Sequence, residues 1–268
     1  LGAPVIGTPT LESILKRDRA VVLVSLGGLT GLAWIYLVVS AGDMGDVSAR
    51  DGVMAAMALR PWTALDFVLM FLMWVVMMVG MMVPSAAPMI LLFSVVARKS
   101  RDQGHPFAPV GAFVCGYVVA WSAFSLGATV LQWGLERLAL LSPMMASASP
   151  VLGGGLLIVA GAYQLTPLKD VCLEHCRAPA RFLAGHWRPG VGGALRMGFE
   201  HGAFCVGCCW VLMGLLFVGG AMNLLWVAAI AVFVLVEKLN VLGRQAGRLS
   251  GGCLVLAGLF VVIQSWTV

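Results

Sequence analysis

Seven stretches of this chain, residues 20–39, 65–97, 109–132, 150–168, 198–219, 222–236 and 250–266, run for 15 to 33 residues with at most one Asp, Glu, Lys or Arg apiece. A water-soluble core cannot hide so many long apolar runs, whereas a helix of about 20 apolar residues crosses the roughly 30 Å hydrocarbon layer of a bilayer. Backbone groups in hydrocarbon must satisfy their own hydrogen bonds, so runs of this length are expected as helices. The expected fold is therefore all-α: a polytopic transmembrane helical bundle of about seven spans, forming a single domain over residues 1–268. Charged residues make up 11% of the chain, against about a quarter in soluble domains. No polar stretch is long enough for a second folded unit.

Orientation follows from the 17 Lys and Arg. Lys16, Arg17 and Arg19 precede the first span, and Arg98, Lys99 and Arg101 follow the second. Lys169, Arg177, Arg181, Arg188 and Arg196 follow the fourth, and Lys238, Arg244 and Arg248 follow the sixth. That puts 14 on one side and only Arg50, Arg60 and Arg137 on the other. Short loops rich in Lys and Arg stay cytoplasmic, so residues 1–19 and the Cys/His-containing connection 169–197 are expected in the cytoplasm, with the C-terminus outside. The net charge of +5 then faces anionic lipid and calls for no nucleic-acid partner. Thr8-Pro9 has the form of a helix cap followed by proline at the first helical position, which predicts a short surface helix before the first span. Gly27 and Gly31 form a close-packing pattern within that span.

The chemistry concentrates in residues 198–210, GFEHGAFCVGCCW. At about 100° per residue, His201, Cys205 and Cys208 share one helix face and Cys209 lies beside it. Upstream, Thr166-Pro167 opens a predicted short helix, PLKDVCLEHCR, that puts Cys172 and Cys176 on one face. This helix is expected to fold under the bundle and bring Cys172 and Cys176 to Cys205 and Cys208. Thiols and an imidazole in this mixture suit Cu(I) or Zn(II) far better than Mg or Ca. The candidate ligands are thus Cys172, Cys176, His201, Cys205, Cys208 and Cys209, which outnumber the places in a four-coordinate shell. Glu200 and Glu237 are candidates for supporting those ligands. On the reducing cytoplasmic side disulfides are not expected.

The second span carries seven methionines between Met70 and Met89. Met70, Met73, Met77 and Met81 lie within about 80° of one another on a helix, with Met78 and Met82 flanking them. Methionine fills core gaps, and thioethers also select Cu(I), so this stripe is a candidate metal path from the outer side inward. Gly80, Pro84 and Pro88 predict a kink in the span, with Ser85 or neighbouring helices taking up freed carbonyls. The outer loop 41–63 adds Met44, Met54 and Met57 among acids, the composition of a solvated acidic segment.

The pieces MWVVMMVGMMVPSAAP (73–88), YQLTPLKDVCLEHCRAP (163–179), GFEHGAFCVGCCW (198–210) and GAMNLLW (220–226), continuing to Glu237-Lys238, resemble in order and spacing a bacterial family of predicted metal-binding integral membrane proteins whose domain has no assigned function. That resemblance implies a bacterial inner membrane protein with metal binding at Cys172, Cys176, His201, Cys205, Cys208 and Cys209; it implies no reaction. The function expected is transition-metal binding, with copper or zinc handled or transported through the Met-rich helix to a Cys/His site. Two alternatives belong to other classes: an accessory or structural subunit of a larger membrane complex or homo-oligomer, and a membrane thiol–disulfide oxidoreductase. Phosphate loops, dinucleotide fingerprints and Ser/His/Asp patterns are absent from the sequence.

Overall fold

The computed structural model describes residues 11–48, 62–141, 145–147, 149–239 and 243–267, and apart from one isolated bridge between Leu141 and Ser147 every regular element among them is a helix. In chain order these are α1 (Leu11–Ser48), α2 (Ala64–Asp102), α3 (Val110–Arg137), α4 (Pro150–Gln164), α5 (Pro167–Arg177), α6 (Pro179–His186), α7 (Gly190–Gly214), α8 (Leu216–Gly219), α9 (Leu224–Lys238) and α10 (Gly243–Thr267). Thr8-Pro9, Met54 and Met57 lie outside the described residues. From Leu11 onward the expected surface helix and first span form one continuous helix.

Five helical stretches are long and apolar enough to cross a membrane: Arg19–Gly42, Ala64–Asp102, Val110–Arg137, Gly190–Gly219 and Gly247–Trp266. The number is six if α4 and α5, which meet at 66°, count as one broken span. The seven expected are thus not reached on length. The apolar run 150–168 breaks because Thr166 caps the Lys169 N–H and Pro167 starts a new helix. Helix α9 has 15 residues, about 22 Å of helix, which is shorter than the hydrocarbon layer.

Helix α2 stays helical through Pro84 and Pro88. Pro84 has no N–H for the carbonyl of Gly80, four residues back; the Trp34 indole of α1 donates to that oxygen instead, at 3.3 Å. Two residues after Gly80, the Met82 carbonyl accepts from Ser85 Oγ at 2.7 Å and from the Tyr117 hydroxyl of α3 at 3.1 Å. The core lies around this helix, with Trp74, Met77, Met78, Met81, Met82, Ile90 and Phe93 almost fully enclosed.

Helices α3 and α7 approach to backbone contact. A Cβ on Gly198 would stand 1.9 Å from the Phe113 carbonyl oxygen, and one on Gly116 would stand 2.0 Å from that of Leu195; no side chain fits between the two helices there. Gly27 and Gly31, expected to pack, have nothing within 4 Å of their Cβ positions. The outward faces of α1 and α10 carry Val24, Leu32, Leu256 and Ile263, all more than half exposed. Apolar surface on this scale is unfavourable in water.

Candidate metal centre

The thiol site forms where α5, α7, α9 and the middle of α2 converge. Glu237, at the end of α9, grips α5 near both its ends. Its carboxylate accepts from Lys169 Nζ at 2.5 Å, with side chains 5% and 2% exposed, and its backbone carbonyl accepts from Arg177 Nε at 2.9 Å. Cys172 and Cys176 lie between those two grips, on the side of α5 that meets α7. Gly207 makes the approach close: a Cβ there would stand 2.9 Å from Cys172 Sγ. The Tyr163 hydroxyl at the end of α4 donates to the Gly207 carbonyl.

Cys205 is the hub. Its sulfur lies 2.8 Å from Lys238 Nζ and 3.1 Å from the Tyr117 hydroxyl. The Cys176 thiol interacts with Cys205 and Cys208, so thiols from two helices meet at one place. Cys208 and Cys209 turn their sulfurs onto the Cys205 carbonyl, at 3.1 and 2.9 Å. Cys205, Cys208 and Cys209 are buried, Cys172 and Cys176 half-buried, and all seven cysteines are free. Helix α5 thus brings Cys172 and Cys176 to α7, as the sequence led us to expect.

His201 is buried one turn before Cys205, among the rings of Phe113, Tyr117 and Phe182. Its Nδ1 has no hydrogen-bond partner among the described residues. A buried polar nitrogen left unsatisfied is costly, and a bound cation is one way to satisfy it. Nonetheless, among the described residues no three His, Cys, Asp or Glu side chains form a ready-made shell for a metal ion. The physical reason lies in the two bonds to the Cys205 carbonyl. The Cys208 and Cys209 thiols are engaged with a carbonyl of their own helix.

The two acids expected to support the ligands are placed differently. Glu200 faces Arg196 Nε at 2.9 Å and Arg188 at 3.7 Å. Glu237 holds α5 through Lys169, and it is the next residue, Lys238, that touches Cys205 and also donates to Ser85 Oγ at 2.8 Å. Tyr117 was not foreseen as a site residue; its signal was the single tyrosine within the apolar run 109–132.

The methionine stripe is interior. Met73, Met77, Met78, Met81 and Met82 are buried, and Met70 is partly buried at one end. Near that end Gln132 donates to Met70 Sδ at 3.8 Å and to Glu136 at 2.8 Å, accepts from Trp74 at 2.8 Å, and Glu136 in turn accepts from Trp62 at 2.8 Å. At the other end the Met82 carbonyl meets Tyr117, which touches Cys205. The stripe therefore runs from a polar cluster to the thiol hub, about 18 Å along α2 at 1.5 Å per residue.

A family model described as PpoB2, copper chaperone, matches residues 71–261. No curated protein and no solved structure matches the chain. The matched region covers more than two thirds of the sequence and takes in Tyr117, Lys238 and every thiol of the cluster, so this chain belongs to the PpoB2 copper chaperone family.

Proposed function

We propose that this chain is a membrane-embedded Cu(I) carrier that holds its cargo on the thiolates of Cys205 and Cys208, with Cys176 as a third donor. Cys172, His201 and Cys209 would be the donors that exchange with them. The observation that carries this is the meeting of the α5 and α7 thiols at Cys205 in a buried place. Thiolates select soft ions, and the family description favours copper over zinc. The exchange is plain ligand substitution: copper stays Cu(I), one copper–sulfur bond forms as another breaks, and the thiol proton passes to water or buffer. More sulfurs than coordination places is what a carrier needs, because each departing bond has a replacement nearby.

The methionines from Met70 to Met82 provide neutral thioethers between the Gln132–Glu136 cluster and the hub. Cu(I) would move along them toward the more strongly binding thiolates, from outside inward. The Lys and Arg distribution supports an orientation with the thiols near the cytoplasmic face and the N-terminus inside, and the resemblance to a bacterial family of membrane proteins supports the bacterial cytoplasmic membrane as the location. The C-terminus lies outside if α4 and α9 both cross.

Elemental analysis of protein purified without added metal tests the assignment. The parent is expected to retain copper, and a Cys205→Ser/Cys208→Ser variant to lose it. Equal copper in the two would contradict it.

A further inference from the structure

Three ionic side chains are buried among the described residues: Lys169, Glu237 and Lys238. The first two cancel each other at 2.5 Å. Among the described residues Lys238 pairs with no carboxylate; its ammonium rests 2.8 Å from Cys205 Sγ and 2.8 Å from Ser85 Oγ, and the Tyr117 hydroxyl lies 3.1 Å from the same sulfur. A cation is costly in such surroundings unless an anion faces it. The anion available is sulfur. The thiol hub therefore carries a fixed positive charge, placed by the end of α9 on the donor to which the other thiols converge.

From this we infer that Lys238 is a valence filter, which makes the thiol hub prefer a monovalent soft ion to a divalent one. The inference rests on the proposed cargo site and adds its selectivity. A metal bonded to Cys205 at about 2.3 Å, the Zn–S length, comes within about 5 Å of the ammonium. At that range the lysine repels a dication twice as strongly as a monocation, whatever number of thiolates holds the ion. With Cys205 and Cys208 bound as thiolates and Cys176 as a neutral thiol the balance is complete: one Cu(I), two negative sulfurs and one ammonium sum to zero, whereas Zn(II) on the same donors leaves one positive charge buried. The two thiol protons leave to solvent and no oxidation state changes. His201, where it binds, does so as neutral imidazole and leaves the balance unchanged.

Competition between Ag(I), a redox-inert monovalent probe, and Zn(II) tests the filter in the detergent-purified full chain. The metals bound per chain are read by elemental analysis over a series of mixing ratios. Lys238→Met should shift the Ag(I)-to-Zn(II) affinity ratio toward zinc by between about tenfold and a few hundredfold, the range for one unit charge at about 5 Å with an effective dielectric constant between about 50 and 20. Lys238→Gln, which keeps a polar head for Ser85 and Cys205, should shift it equally, and Lys238→Arg should keep the parent ratio. A lysine needed only for packing would lower both affinities together, so an unchanged ratio in Met and Gln variants that still bind metal would overturn the filter alone. Absence of both metals from the parent would overturn the cargo site and the filter with it. Should Lys238→Met not fold, the Gln and Arg pair decides.

Discussion

Replacing Glu237 by Gln removes the one carboxylate that pairs with Lys169 among the described residues, a lysine whose side chain is 2% exposed and 2.5 Å away. The Arg177 bond runs to the Glu237 backbone carbonyl and survives, so the loss is that of the ion pair itself. Leaving one member of a buried pair alone costs about 3–5 kcal/mol. Lys169→Met should cost a similar amount, because the Glu237 side chain is only 5% exposed. Removing both charges is a different matter: an apolar or neutral replacement of a buried pair is often close to neutral. The Lys169→Met/Glu237→Gln double variant is therefore expected within about 1–2 kcal/mol of the parent, giving a coupling energy of several kcal/mol. A double-mutant cycle from denaturant unfolding in detergent micelles measures it. Strictly additive single-variant losses, or a loss below about 1 kcal/mol for Glu237→Gln, would refute the buried-pair account.

Gly198→Ala puts a Cβ 1.9 Å from a backbone oxygen of α3; the two helices must part, and no monodisperse folded protein is expected by size-exclusion chromatography. Gly207→Ala meets only the end of the Cys172 side chain, at 2.9 Å, so it should cost roughly 1 kcal/mol while turning Cys172 out of the site. Maleimide labelling followed by mass spectrometry should find Cys172 several-fold more reactive, and unchanged labelling would contradict the contact. Leu at Met70, Met73, Met77 and Met81 conserves volume and should cost less than about 1.5 kcal/mol per site. Copper loading of proteoliposomes containing an internal Cu(I) chelator should nevertheless slow; loading at the parent rate would return these methionines to packing alone.

Much of the bundle was legible because length and absence of charge are properties of the sequence itself. The runs beginning near residues 65, 110 and 198 became long helices, and the Thr166-Pro167 cap marked where the helix carrying Cys172 and Cys176 begins. What escaped depends on neighbours that share no local pattern. The apolar run 150–168 looked like one span because hydropathy does not register a cap and a proline as a bend. The spacing of Gly27 and Gly31 suggested contact, yet the close approaches occur at Gly116 and Gly198, where two distant helices meet. At the centre, helical spacing put His201, Cys205 and Cys208 on one face, and all three are buried in the structure; their order relative to Cys172 and Cys176 suggested the juxtaposition. Periodicity could not tell which of Glu237 and Lys238 would face the thiols, since adjacent residues on a helix point about 100° apart. Nor could it pair Tyr117 with Cys205, 88 residues away.

The central claim is that sulfur from Cys205 and Cys208 holds the copper. X-ray absorption at the copper edge, on Cu(I)-loaded protein in detergent, reads the ligand atoms directly. A first shell dominated by sulfur is expected for the parent, with that sulfur contribution lost in the Cys205→Ser/Cys208→Ser variant. A first shell of nitrogen and oxygen alone in the parent, or an identical sulfur shell in both proteins, would contradict it.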